Sequence, residues 1–518
     1  MNRRFGTATL FLALAGLGTV AHAQNTTSTS EIDRSATLRL VWLGNPGGYD
    51  PPFAKNPFQI TAYGFPIFDS LVRLNVNGDV VPDLATSWTF SGDGLTLTMQ
   101  LRGGVKFTDG SDVTAAVIVK NLTRAKSDPA SLVARDLGSF ESFEAKDPQT
   151  VVLRLKTPDA NVLYTLATSA GFIVSGKALD ENVNLSTTPV GSGPYKLVSS
   201  TSQGAVYQRN EDYFDKSQNQ FATVNITSVV DVAARLNALL SGQADVGLFQ
   251  IDAASYPKIE SMVKSGEFTV HRFTQPNSLP MWMNTKIKPF DNPKVRMAVN
   301  YAINREAINQ GIQNGECTLS SQPLPPGVVG HDESLKPYPF DVAKAKALLQ
   351  EAGVGPITFD AIVAAAEPYS SVALAMKAQL EAIGVTMNIN LENSVASRPL
   401  FRGGKSPALI FNMSVPAPDP ASIIDAVEMS PDNPGGVTPE YAKMIADART
   451  KKIGSPEREA AYKAISRMSY ENPHNIFVCW TKLLIVARKD VVGIDKTAYV
   501  NAVPIPDIRT YGFRKSSK

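Results

Sequence analysis

Between residues 95 and 101 apolar and polar side chains alternate without a break. Leu95, Leu97, Met99 and Leu101 fall on one side, and Thr96, Thr98 and Gln100 on the other. A period of two is that of a strand with one buried face. Just upstream, the apolar runs 71–76 and 80–81 flank Asn77-Gly78, a pair suited to a tight hairpin. Ser111 stands where it can cap a helix running to about Lys126. This part of the chain predicts a strand-rich unit carrying a helix, an α+β arrangement.

Further along, the period changes. Asp291-Asn292-Pro293 supplies a cap and a first-turn proline. Val295, Ala298, Val299, Ala302 and Ile303 then keep the spacing of an amphipathic helix. Asp341 caps a second helix with Val342, Ala345, Leu348, Leu349 and Ala352 inward, and Gly353 ends it. A strand over 357–363, a helix over 371–383 closed by Gly384, and a strand over 385–391 follow in turn. Strand, helix and strand separated by glycine stops predict a parallel crossover, so this region is α/β. The proline-rich stretches 323–326 and 416–420 read as its loops.

Length and charge narrow the class. The chain has 518 residues and a formal net charge of +2. That length exceeds a single core and predicts two or three domains. A balanced charge without Lys/Arg runs argues against nucleic acid or anionic lipid as partner. At the start, Arg3 and Arg4 precede an apolar stretch over 11–20 and an Ala21-His22-Ala23 cleavage pattern. These features predict a signal peptide, a mature chain beginning near Gln24 and a periplasmic protein without a lipid anchor. No later stretch approaches 18 apolar residues, so no membrane insertion is expected. Cys317 and Cys479 are either bridged in an oxidising compartment or two buried small hydrophobes.

Reactive chemistry is hard to find. Gly403-Gly404-Lys405-Ser406 ends like a phosphate loop, but Pro399 stands where the first glycine belongs. Gly191-Ser192-Gly193 lacks the spacing of a nucleophile elbow. The four histidines are isolated from one another and from the cysteines, so neither a metal nor another cofactor is expected. A triad assembled from distant residues would leave no spacing to read.

Longer phrases carry more. Val81-Pro82-Asp83-Leu84-Ala85 is followed by the alternating strand and by Leu101-Arg102-Gly103-Gly104-Val105. Then come Pro189-Val190-Gly191-Ser192-Gly193-Pro194-Tyr195, Arg209-Asn210-Glu211-Asp212-Tyr213-Phe214 and Ser241-Gly242-Gln243-Ala244-Asp245. Pro289-Phe290-Asp291-Asn292-Pro293 and Tyr301-Ala302-Ile303-Asn304-Arg305 complete the set. In this order, over nearly the whole chain after the signal, the phrases resemble the extracytoplasmic solute-binding proteins of family 5, the dipeptide/oligopeptide class of ABC-importer receptors. Ala116 departs from the family, which usually carries an acid there.

The resemblance implies an α/β fold of the two-lobed periplasmic-binding-protein type, closing by a hinge, with an extra α+β domain on the first lobe. Lobe one would take residues 24–66, 188–273 and 482–518. The extra domain would be 67–187 and lobe two 274–481. It also implies a monomer that hands a small solute to an inner-membrane permease and does no catalysis. A periplasmic hydrolase or chaperone-like protein on the same fold is the other reading, since a fold does not fix a function.

Ligand-facing residues follow from the same resemblance. Asn45 and Gly47 lie in a loop after the first strand, where glycine lets a main chain approach closely. Glu367 and Tyr369 follow a strand end. Arg398 and Arg402 suit an oxyanion, or stand on solvated surface. Trp282 flanks the cleft or belongs to the core, and Trp480, on the strand returning to lobe one, is expected to stack on the ligand. Met413, Ser414, Val415 and Pro416 occupy the segment where peptide receptors carry a Trp and, three residues on, an acid that pairs with the peptide ammonium. Here those two positions read Met413 and Pro416, so the ammonium clamp is missing. Asp419 matches a later, structural turn of the family. The solute is therefore expected to be anionic or neutral and polar: a modified peptide, an opine-like conjugate or an oligosaccharide.

Overall fold

The computed structural model describes residues 32–515, apart from 56, 160, 395, 415–418, 453 and 498–506. The expected signal segment lies outside the described residues. No helix among them is long and apolar enough to cross a membrane.

Two long antiparallel strands, Phe268–Met283 and Asn475–Arg488, organise the molecule. They pair from Phe268 opposite Arg488 to Trp282 opposite Asn475. The ladder shifts register twice, between Thr274 and Ser278 and between Ser278 and Pro280. Pro276 and Pro280 have no backbone N–H to give, which suits a place where rungs are skipped.

At one end of this pair the first lobe is built. Val246–Gln250 joins Asn475–Arg488 antiparallel, and Thr37–Trp42 lies parallel to both Val246–Gln250 and Thr223–Ser228. The hairpin of Tyr195–Thr201 and Gly204–Arg209 completes that side. At the other end, Ala408–Ile410 pairs antiparallel with Phe268–Met283 and parallel with Ile357–Ala364, which in turn runs parallel to Val385–Glu392. Helix Tyr369–Glu381 connects the last two, as the glycine-bounded pattern predicts.

A separate four-stranded antiparallel sheet holds Ala85–Phe90, Thr96–Leu101, Thr150–Leu155 and Phe140–Asp147. Helix Ala115–Ser127 covers it, burying Ile118 and Leu122 against Leu97, Met99 and Leu153. Its cap is Thr114, whose side chain accepts from Val117 N, and not Ser111. Ser111 instead donates to Asp109 Oδ1 at 2.6 Å in the preceding turn. This unit's core runs from Leu71 to Ile173. Phe172, Val174, Ala178 and Leu185 already pack into the first lobe.

The phrase Gly191-Ser192-Gly193 is explained by packing. A Cβ on Gly193 would sit 2.5 Å from the backbone carbon of Ile67, so only glycine lets the two main chains pass. Ser192 between them donates to Asp69 Oδ2 at 2.8 Å. Asp69 and Asp83 surround the fully buried Arg509, each 3.7 Å from its Nη1, and Arg509 Nε meets Asp507 Oδ1 at 2.7 Å. This charged knot ties the C-terminal segment to the start of the four-stranded unit.

Candidate solute-binding cleft

The strand directions define a cleft. Val246–Gln250 runs toward the second lobe and Ala408–Ile410 toward the first, each antiparallel to its crossing partner. The carboxyl ends of the parallel strands of both lobes therefore point into the same gap, the usual place for a ligand in such sheets. Met413 pairs with Ser278, which faces Trp480, while Gln250 pairs with Leu483. Three residues of strand, roughly 10 Å, separate these two rows.

The second lobe's wall is cationic and aromatic. Arg398 and Arg402 stand one turn apart on the short helix Ser397–Arg402, so they share a face. Both reach the buried carboxylate of Asp432, Arg402 through Nε at 2.6 Å and Arg398 through Nη1. Arg398 also donates to Asn412 Oδ1 at 3.1 Å and lies over the Phe411 ring, 4.8 Å from its centroid. Phe411 meets Tyr369 edge to face at 5.2 Å. Burial, and Arg402 beside it, push the Arg398 guanidinium down to about 10. Burial and the field of Arg135, from the four-stranded unit, lower that of Arg402 as well. Two guanidinium groups on one carboxylate leave one positive charge in excess.

The first lobe's wall is uncharged. The loop after Thr37–Trp42 turns through Gly47 and Gly48 at φ +66° and +112°, conformations that favour glycine. Together with 186–189 and 197–202 this loop lines a cavity of about 480 Å³ rich in Ser and Thr and free of ionisable acids and bases. Tyr49 donates to Ser200 Oγ at 3.0 Å on its wall. The hairpin tip belongs at the cleft edge because Thr201 pairs with Gly204, Gly204 with Thr227, and Trp42 with Ser228.

Behind the gap, the two lobes touch through Glu316. Its carboxylate takes Arg272 Nε and Lys482 Nζ at 3.0 Å each, and the Tyr256 hydroxyl. Next to it Cys317 is bridged to Cys479 on the returning strand, with Cα atoms 5.7 Å apart.

The structure thus brings Tyr369, Arg398 and Arg402 together, with Met413 and Ser414 paired to the crossing strand nearby. Asn45 and Gly47 stand on the opposite wall, and Glu367 is exposed in the loop before Tyr369. Trp282, Trp480 and the Met413 side chain are buried in one apolar core of the second lobe: this is the core alternative left open for Trp282, and it replaces the ligand-stacking role expected of Trp480. Val415 and Pro416 lie outside the described residues. Asp419 caps helix Pro420–Val427 by accepting from Ala421 N at 2.8 Å, which makes Pro420 a first-turn proline and not a loop residue. Sequence reasoning missed Phe411 and Asn412, although both follow directly on a strand end. Asp432, 30 residues beyond Arg402, carries no pattern to find. Among the described residues no three His, Cys, Asp or Glu side chains gather as a metal site.

Two lobes on shared crossing strands, with a polar gap between them, define a hinged binding protein. Residues 79–433 match the model of the bacterial extracellular solute-binding proteins, family 5 (middle), and the chain belongs to that family. The glutathione-binding protein GsiB of Escherichia coli O1:K1 / APEC is 33% identical over 308 residues. That match covers 58% of this chain and 59% of GsiB, so the similarity spans little more than half of either protein. Its counterpart in Salmonella choleraesuis is 32% identical over 307 residues, with the same coverage. Among solved structures, AgaA of A. tumefacien R10 in complex with agropinic acid aligns with a TM-score of 0.79 at 24% identity, over 93% of this chain and 99% of that one. NikA of Brucella suis in complex with Fe(III)-EDTA aligns at 0.81 and 21%, over 93% and 100%. At such identities these structures speak for the fold alone.

Proposed function

We propose that this chain is a periplasmic receptor of an ABC importer, and that its solute carries a carboxylate or a comparable oxyanion. The observation that carries this reading is the unbalanced charge where Arg398 and Arg402 share Asp432 at the rim of the gap. An arginine fork matches a planar oxyanion and would be more fully satisfied with one bound. The uncharged hydroxyl-rich wall opposite suits the neutral, polar remainder of the solute. Agropinic acid, named with one solved structure, is of this kind, whereas glutathione, named with another relative, also carries a free ammonium; a conjugate joining an acid to a neutral polar body is the class that fits best.

In this reading the chain is exported as a monomer after loss of residues 1–23, and it binds without turnover. The separate apolar cores support two lobes and an extra unit close to the expected boundaries, with the extra unit ending near residue 173.

A binding panel tests the proposal: glutathione, agropinic acid, glutarate, alanyl-alanine and maltotriose, titrated into refolded, solute-free protein. Carboxylate-bearing members should bind, with agropinic acid and glutarate ahead of glutathione and alanyl-alanine, which both carry a free ammonium. Arg402→Ala should weaken them more than tenfold, as expected for a charge-assisted bond of ~1.5–3 kcal/mol. Binding of maltotriose alone, or of none of the five, would overturn the anionic reading, and product formation would overturn the receptor reading.

A further inference from the structure

The middle of the outgoing crossing strand holds a polar group without a partner among the described residues. Asn277 is 7% exposed, and its Oδ1 is buried without a hydrogen-bond partner among the described residues. Buried carbonyl oxygens are nearly always satisfied in folded proteins, so an orphan asks for an explanation. The main chain of Asn277 is fully used: it pairs with Ser414, and its carbonyl accepts from Thr481 Oγ1 at 3.1 Å. The side-chain amide is left over, and its oxygen is the buried end.

Asn277 lines a small cavity between the lobes, of about 20 Å³, with its side-chain oxygen buried beside it. Gln250 and Ile251 line it from the first lobe, Thr481 and Lys482 from the returning strand, and Gln313 and Tyr369 from the second lobe. Three of the neighbouring side chains make contacts of their own. Lys482 Nζ is held by Glu316 at 3.0 Å, Gln313 Nε2 donates to Ile251 O at 3.4 Å, and Thr481 serves the Asn277 main chain. Tyr369 links this cavity to the arginine wall through its contact with Phe411.

We propose that Asn277 Oδ1 is the floor contact of the cleft and accepts a hydrogen bond from an N–H or O–H of the bound solute. The solute is then a carboxylate that also carries a donor, an amide, amine or hydroxyl, projecting from its body toward the crossing strands. Asn277 acts as a specificity residue: it favours donor-bearing acids, which pair its oxygen, over donor-free acids, which gain nothing from it. The inference rests on the anionic reading of the site and deepens it.

The test uses the full-length mature protein, glutathione and agropinic acid as donor-bearing acids, and glutarate as a donor-free one. Asn277→Leu should weaken glutathione or agropinic acid at least tenfold and leave glutarate within twofold. Its melting temperature without solute should hold or rise, because an unpaired oxygen adds nothing to stability. Asn277→Asp keeps an acceptor in place and should retain more of the affinity than Asn277→Leu. If Asn277→Leu binds the donor-bearing acids like wild type while Arg402→Ala does not, the floor contact is overturned and the anionic reading stands. A drop of several degrees in melting temperature, or an equal loss for glutarate, marks a structural asparagine and overturns it too. If wild-type protein binds none of the acids, the anionic reading fails and takes the floor contact with it.

Discussion

Arg458 and Asp419 form an ion pair at 3.1 Å, with only 4% and 6% of their side chains exposed. Asp419 thereby serves the interior of the second lobe, as helix cap and counter-ion at once, and has no charge to spare for a ligand. Burial outweighs Arg458 and lifts the Asp419 carboxyl above its ordinary value. Removing one member of such a pair strands the other in a poor dielectric, at a cost of about 3–5 kcal/mol, well above the ~1 kcal/mol of a lost cap. Asp419→Asn should therefore lower the melting temperature by several degrees and leave affinity for the best-bound panel solute within twofold. The double variant Asp419→Asn/Arg458→Met should melt above Asp419→Asn, and scanning calorimetry measures both.

The bridge between Cys317 and Cys479 closes a span of 162 residues. Denatured, unreduced protein should give no titratable thiol. A loop of that length restricts the unfolded chain strongly, by about 4–5 kcal/mol on the chain-entropy model. Reduced protein, or Cys317→Ser/Cys479→Ser, should accordingly melt several degrees lower.

Glu316 predicts an acid limb in the stability curve. Burial pushes its carboxyl up, but hydrogen bonds from Tyr256, Lys482 and Arg272 prevail and hold it at about 2. The folded state then binds fewer protons than the unfolded chain between that value and the ordinary glutamate range. Its contribution is complete above about pH 4.5 and is lost as pH falls toward 2. Melting temperatures from pH 5 to 2.5 should fall more gently for Glu316→Gln than for wild type, starting from a lower plateau.

Gly193→Ala tests the packed passage beside Ile67. A methyl 2.5 Å from a backbone carbon has no room, and two main chains cannot yield as a flexible side chain would. Overpacking of this kind costs about 1–3 kcal/mol or more. The variant should express poorly or melt lower, while its surviving fraction binds solute normally in calorimetry.

Local patterns reached the fold well where one element meets solvent on one side. The alternation at 95–101, the caps Asn292 and Asp341 and the glycine-bounded crossover around helix Tyr369–Glu381 all stand in the structure. The cap at Ser111 went astray because a nearby hydroxyl, Thr114, sits one turn closer to the helix, and spacing alone cannot rank the two. The site was legible only in halves. Arg398 and Arg402 announce a cation pair, but the Asp432 that fixes their geometry is remote in sequence. Trp282 and Trp480 show the opposite difficulty. An indole looks the same in a string of letters whether it faces solute or core, and here three-dimensional packing put both in the core.

The skipped rungs between Thr274 and Pro280 bear on how the gap closes. Both lobes hang from one two-stranded ribbon, so a closing motion of the kind this family's fold permits would bend that ribbon rather than rotate free linkers. A ribbon bends most easily where its cross-links are fewest, and here that place is next to Asn277. On the proposal that Asn277 meets the solute, the soft spot of the spring coincides with the contact, and a bound solute would act directly on the mechanical compliance that governs closing.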